Sequence, residues 1–215
     1  MKVTIIGAGK MGRGIGRRVV AGGNDVEIVD RDPEEARSLA GELQASAQKG
    51  ASASAVEPGA PLSGEVVVLA LYYGSLEGAV RQYEEELRGK IVVEISNPID
   101  FESFEALATP PDSSAAEEVA KLLPEGTRVV KAFNTTFAGT LVEGRVADQP
   151  LDVLIAGDDD DAKKKVASLA EAGGLRAIDA GPLRVARQLE HAGFLHIALQ
   201  ERMGTGYGSA LKIVS

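Results

Sequence analysis

Six residues near the N-terminus carry the clearest chemistry: Gly7-Ala8-Gly9-Lys10-Met11-Gly12 has the spacing G-x-G-x-x-G. It follows the apolar run Val3–Ile6 and opens a helical pattern running from Met11 to Ala21, which Gly22-Gly23 ends. Asp30 lies 18 residues after Gly12, at the end of a second apolar run, Val26–Val29. A strand, a glycine-rich turn, a helix and a second strand ending in an acid form the context of a dinucleotide-binding βαβ unit. Gly7 suits the tight turn, Gly9 lets the backbone approach a pyrophosphate, and Gly12 lets the helix pack close to the strand. The pyrophosphate then meets free N–H groups and the positive end of the helix dipole. Lys10 and Arg13 add positive charge near the phosphates. At the second strand end, Asp30 suits the ribose hydroxyls of NAD and repels a 2′-phosphate, whereas Arg31 suits the 2′-phosphate of NADP. Asp32, followed by Pro33, is better explained as a helix cap. The choice between NAD and NADP stays open at this level.

Other familiar catalytic sets are missing. The chain has no cysteine, so it has neither a thiolate nucleophile nor a cysteine zinc site. Its two histidines, His191 and His196, are five apart and do not share a helix face as a metal pair would. Tyr72, Tyr73 and Tyr83 are followed four places on by Leu76, Glu77 and Leu87, so none forms Tyr-x-x-x-Lys. No acid/base pair stands out, and no catalytic or metal-ligating residue is assigned. A hydride transfer that asks little proton transfer of side chains fits this inventory. Transfer between a reduced nicotinamide and a flavin or deazaflavin is such a reaction: the coenzymes carry the chemistry and the protein aligns their faces.

The elements that must position these residues alternate along the chain. After the first βαβ unit, a short strand is expected near Ala53–Val56, then strands at Val66–Leu71 and Ile91–Ile95 with a helix over Leu76–Leu87 between them. A loop covers 99–112, and Ser114-x-x-Glu117 is a capping box opening a helix over 115–123. Strands follow at Thr127–Ala132, Leu151–Ala156 and Arg176–Asp179, and one long helix spans Leu183–Met203. The acids Asp158 to Asp161 and the bases Lys163 to Lys165 read as a helix start with complementary charge, not a cation site. The expected fold is α/β: a Rossmann-like, doubly wound, mostly parallel sheet with a small C-terminal helical extension. Residues 1–180 form the dinucleotide-binding part and 181–215 the extension, packed on the same domain.

Composition narrows the partners. The chain has 215 residues, 44% of them hydrophobic, and a formal net charge of −9. That charge opposes nonspecific binding to nucleic acid or to an anionic membrane. Glycine, at 25 residues, is well above the usual ~7%. The longest apolar run, Val66–Tyr73, is too short to span a membrane, and no targeting segment is visible. A cytoplasmic protein is expected. The last helix carries Leu189, Phe194, Leu195, Ile197, Ala198 and Leu199, an apolar surface suited to homodimerisation.

Several segments together resemble the deazaflavin-dependent NADP oxidoreductases, which pass hydride between coenzyme F420 and NADP. The chain is similar also to the cytosolic oxidoreductase domain of the six-transmembrane metalloreductases, which passes NADPH electrons to flavin. The matching pieces are the glycine motif, Ser96-Asn97-Pro98, Ser114 to Glu117, Val129 to Thr135, Gly157-Asp158-Asp159 and Asp179-Ala180-Gly181-Pro182-Leu183, with Arg187, Glu190 and the glycine-rich Gly204–Lys212. The resemblance implies that nicotinamide lies over the ends of the fourth to sixth strands. Leu71-Tyr72-Tyr73, Ser96-Asn97-Pro98 and Asn134-Thr135 would line it, with Asn134 holding the carboxamide. The deazaflavin would occupy the cleft towards the C-terminal extension. Two positions depart from the deazaflavin enzymes. Asp30-Arg31-Asp32 stands where Ser-Arg-Arg is common, and Asn134-Thr135 stands where His-Thr is frequent, as in the metalloreductase domain. Alternative readings are a non-catalytic NAD(P) sensor, or a reductase using plain flavin or a small imine or keto substrate.

Overall fold

A computed structural model describes residues 1–214. The chain alternates strand and helix: β1 (Lys2–Ile6), α1 (Lys10–Ala21), β2 (Asp25–Val29), α2 (Pro33–Ala45), β3 (Ala53–Ala55), β4 (Val66–Leu69), α3 (Tyr73–Gln82), α4 (Glu84–Leu87) and β5 (Ile91–Glu94). It continues with α5 (Ala115–Leu122), β6 (Arg128–Lys131), α6 (Ala138–Glu143), the hairpin β7 (Arg145–Val146) and β8 (Gln149–Pro150), and β9 (Asp152–Gly157). The last elements are α7 (Asp160–Ala172), β10 (Arg176–Gly181), a 3-10 turn at Leu183–Val185, and α8 (Ala186–Met203). Among the described residues, no helix is long and apolar enough to cross a membrane.

The central sheet has eight strands in the order β10-β9-β6-β5-β4-β1-β2-β3. All neighbours are parallel except β6 and β9, which run antiparallel. The order reverses between β1 and β4, so the crevice beyond their carboxyl ends is the topological switch point, where ligands of open α/β sheets bind. Ile5, Val67, Val68 and Val93 are fully buried between the helical layers. Two-sided burial explains why these strands read as continuous β-branched runs, and each such side chain contributes about 1.5–3 kcal/mol.

Several expected boundaries shift. The fourth strand stops at Leu69, because Ala70 and Leu71 turn over the glycine loop. The helix expected over Leu76–Leu87 starts earlier, at Tyr73, and is broken into α3 and α4 at Tyr83, whose hydroxyl accepts the Gly59 N–H at 2.8 Å. The expected helix from Leu183 begins as a 3-10 turn after Pro182. Helix α6 and the hairpin β7–β8 were not anticipated. Caps follow the sequence: Asp32 accepts the Glu34 N–H at 2.9 Å, and Ser114 accepts the Glu117 N–H at 3.2 Å. Asp159 caps α7 by accepting the Ala162 N–H at 2.7 Å.

Candidate functional site

The glycine turn is built as its spacing requires. Gly7 has φ +112°, and a Cβ there would strike the Ala70 carbonyl at the end of β4. A Cβ on Gly12 would strike the Gly7 carbonyl, so both glycines serve close packing of loop and helix. Gly9 differs: a Cβ there would meet nothing within 4 Å. It is the N-cap of α1, has no side-chain cap, and leaves an open cradle over the first-turn N–H groups. That cradle fits a pyrophosphate. Lys10 and Met11 form the first turn; Lys10 is exposed and Met11 half-buried. Arg13 is turned towards Glu42, 2.9 Å away.

Asp30 sits at the end of β2 beside this cradle. Its carboxylate accepts the Ala8 N–H at 2.7 Å and the Asp32 N–H at 3.0 Å. It therefore fastens the glycine loop to the second strand. Arg31 is exposed and has no ion pair among the described residues.

The ends of β4, β5 and β6 bring the remaining candidates together. A cavity of about 580 Å³ is lined by Tyr72, Tyr73, Asn97, Ile99, Asp100 and Phe101, among others. Tyr72 is 78% exposed and meets Phe101 edge-on at 6.4 Å between ring centres. Burial raises the pKa of the Tyr73 hydroxyl, and the negative fields of Glu118, Glu190 and Glu94 add to that. Leu71 packs at the base and Pro98 is buried. Phe133, at φ +62°, turns the chain sharply after β6 and aims the Asn134 side chain back at Asn97. Both N–H groups of the Asn134 amide are taken, by Asn97 Oδ1 at 2.9 Å and the Leu189 carbonyl at 2.8 Å. Its Oδ1 and the Ser96 hydroxyl are buried without a hydrogen-bond partner among the described residues. Unpartnered buried polar atoms are costly, and solvent reaches neither of these two. Thr135 is buried beside them.

A group of charges beneath these loops escaped the reading by motifs. Lys131, the last residue of β6, is fully buried between Glu94 Oε2 at 2.5 Å and Glu190 Oε1 at 2.7 Å, both also fully buried. Its Nζ also donates to the Ser96 carbonyl at 2.6 Å, while Glu94 Oε1 accepts the Ser96 N–H at 2.6 Å. Glu190 Oε2 accepts the Ala115 N–H at 3.1 Å, at the start of α5. Burial raises the Glu190 pKa, against the pull of Lys131. The signal was present: Ile91–Glu94 and Arg128–Lys131 each end a buried apolar strand on a charged residue, and buried charges need partners.

Cradle, switch point and strand-end cavity together define a dinucleotide-binding oxidoreductase of the Rossmann type. The family model described as NADP oxidoreductase, coenzyme F420-dependent, matches residues 2–98. A protein of Methanocaldococcus jannaschii named F420-dependent NADP reductase is 36% identical over 220 residues, covering 96% of each chain. Metalloreductase STEAP3 of Rattus norvegicus is 35% identical over 192 residues, covering 88% of this chain and 36% of that protein. A solved structure from Arthrobacter sp. FB24, provisionally described as an F420-dependent NADP reductase, superposes with a TM-score of 0.81 at 30% identity over the whole of both chains. The chain belongs to the F420-dependent NADP oxidoreductase family.

Proposed function

We propose that this protein transfers hydride between NADP(H) and the deazaflavin coenzyme F420. The observation that carries the reading is the open cradle at Gly9, standing at the switch point beside the cavity of Tyr72, Tyr73 and Asn97. The coenzymes, when bound, supply the hydride donor and acceptor carbons. The chain's residues bind and orient. Gly7, Gly9, Lys10, Met11 and Gly12 hold the pyrophosphate at the α1 N-terminus. Asp30 and Arg31 face the adenosine ribose. Asn134 Oδ1 and the Ser96 hydroxyl accept from the nicotinamide carboxamide, with Asn97, Pro98 and Thr135 shaping the floor. Leu71, Tyr72 and Tyr73 pack against the ring. The C-terminal extension closes one side of this site through Leu189 and Glu190.

The experiment is a two-substrate assay with purified protein, following the visible absorbance of oxidised F420 when NADPH is added. Loss of that absorbance is expected. Tight NADPH binding without transfer would discard F420 as acceptor and favour plain flavin or a sensor, and flavin added to the same mixture separates those two. NADH run in parallel reports the coenzyme preference.

The extension also bears on assembly. Helix α8 turns Glu190, Gly193, His196 and Gln200 inward, and leaves Leu195 61% exposed, with Phe194, Ile197 and Leu199 half-buried. An apolar outer face on such a helix supports a homodimer. Sedimentation equilibrium should show twice the chain mass for the wild type and the single-chain mass for Leu195→Glu.

A further inference from the structure

The glycine turn, the cavity and the strand-end amides are absorbed by the proposed reaction. The buried cluster Glu94–Lys131–Glu190 is not, and structural tying alone leaves its charge count unexplained. Two carboxylates face one ammonium, so with both ionised the cluster carries one uncompensated negative charge, fully out of water. Replacing one of these acids by a neutral residue would balance Lys131, and an unbalanced buried charge is costly.

The neighbouring charges do not compensate it. Glu117 on α5 is taken up by Arg187 through two contacts, at 2.8 and 2.7 Å, and Glu118 by Lys121 at 2.7 Å. Asp100 on the 99–112 loop is engaged by the Glu102 N–H and the Ser103 hydroxyl. The α5 N-terminus touches Glu190 only through the Ala115 N–H. The field of the cluster does reach the cavity: Glu190 and Glu94 both act on the Tyr73 hydroxyl, which lines it. The cluster also grips both sides of Ser96, N–H and carbonyl, and the Ser96 hydroxyl is one of the two unpartnered acceptors.

We propose that Glu94, Lys131 and Glu190 form a built-in counter-charge for the oxidised nicotinamide ring, favouring the cationic pyridinium over the neutral dihydropyridine. This rests on the placement of nicotinamide at the strand ends given above. The two forms of the coenzyme share every other group, so a uniform binding contact changes both affinities alike. A charge beneath the ring changes only their ratio. The cluster therefore acts on the balance of the reaction without touching the reacting atoms, and its members are positioning residues.

The test is calorimetric titration of NADP+ and of NADPH into the whole protein, for the wild type, Glu190→Gln, Glu94→Gln and the surface control Glu171→Gln. Each variant is first checked for fold by circular dichroism. The expected result is that the preference for NADP+ over NADPH falls about three- to tenfold in both cluster variants and is unchanged in the control, since one charge a few ångströms inside a protein shifts a partner's affinity by that order. Should a cluster variant unfold, the wild type answers alone. Burial raises the Glu190 pKa, and its protonation in acid neutralises the cluster, so the ratio should climb as pH rises. Titration of the 2′-phosphate cancels, because both forms carry it. A ratio unmoved by substitution, or flat with pH in that fallback case, overturns the counter-charge and leaves a purely structural tie. Failure of the wild type to bind either form overturns the family-based reading instead.

Discussion

Asn97 and Asn134, 37 residues apart at the ends of β5 and β6, clasp each other. Asn97 Nδ2 donates to the Asn134 carbonyl at 2.8 Å, and Asn134 Nδ2 donates to Asn97 Oδ1 at 2.9 Å. The second N–H of Asn134 reaches the Leu189 carbonyl on α8. Two strand ends and the C-terminal helix are thus joined through two side-chain amides. The join closes only because residue 193 is glycine: a Cβ there would collide with the Asn97 side-chain oxygen.

Gly193→Ala is therefore a narrow probe of the site floor. Alanine suits a helix interior better than glycine by about 1 kcal/mol, so α8 itself should gain. The clash displaces Asn97 or lifts α8. Hydride transfer should slow at least tenfold, since small misplacements of reacting groups are costly. Coenzyme affinity, assigned in the proposed reading mainly to the glycine loop, should stay within about threefold. Stopped-flow transfer rates and titrated affinities, measured on the same preparation, separate the two effects.

The glycines of the turn divide into two kinds, and substitution should show it. Gly9→Val places its side chain in open space with an extended backbone, so thermal stability should change by no more than about 1 kcal/mol, the ordinary worth of an N-cap residue. Coenzyme binding should nevertheless be lost, because the branched side chain fills the pyrophosphate cradle. Gly12→Val drives a side chain into the Gly7 carbonyl and should destabilise the chain by roughly 3 kcal/mol or more. Scanning calorimetry with and without NADPH checks both: Gly9→Val should melt like the wild type and show no stabilisation by coenzyme.

How much of this was legible beforehand follows from what each feature depends on. The first βαβ unit and the strands were readable because burial on both faces writes itself as β-branched runs, and turns write themselves as glycine. The break of α3 from α4 was not, because it turns on Tyr83 reaching Gly59 across the fold. Helix α6 is six residues long and has no side-chain cap, so its stability comes from packing against α1. At the candidate site, the strand ends that bring Asn97 and Asn134 together are legible as the ends of apolar runs. Their hydrogen bonds to α8, and the Lys131 cluster beneath them, were hidden because partners 59 residues apart have no local signature.

Asp30 has two duties that one substitution separates. It fastens Ala8 to the end of β2, and in the proposed reading it also faces the adenosine ribose. Asp30→Ser removes a carboxylate from beside any 2′-phosphate, so the affinity for NADPH relative to NADH should rise about tenfold, the worth of roughly 1.4 kcal/mol of repulsion. Losing the Ala8 bond should lower stability by about 1 kcal/mol. Equal changes in the two affinities would place Asp30 away from the ribose and leave only the fastening role.

Asp152 at the start of β9 should control how the C-terminal tail responds to acid. Burial pushes its carboxyl pKa up, but Arg176, Lys212 and the Ile213 N–H outweigh that and hold it below the usual aspartate range. Arg176 Nε lies at 2.8 Å and the Ile213 N–H at 2.9 Å, and Lys212 completes the clasp that fastens the tail to β9. A carboxyl with a lowered folded-state pKa stabilises the fold above its unfolded value, near 3.9, and the contribution disappears as pH falls through the lower, folded value. Stability should thus decline below about pH 4, with the tail loosening ahead of the core. Asp152→Asn removes the charge at every pH and should cost about 1–3 kcal/mol at neutrality, because Arg176 and Lys212 are partly exposed and recover water. Limited proteolysis read by mass spectrometry should then cut the variant near residues 204–212 at pH 7, where the wild type resists. In acid the two should become equally susceptible, since protonation has by then removed the same charge from both. A variant as resistant as the wild type at pH 7 would mean that packing of Tyr207 against Phe137, 5.1 Å between ring centres, holds the tail without Asp152.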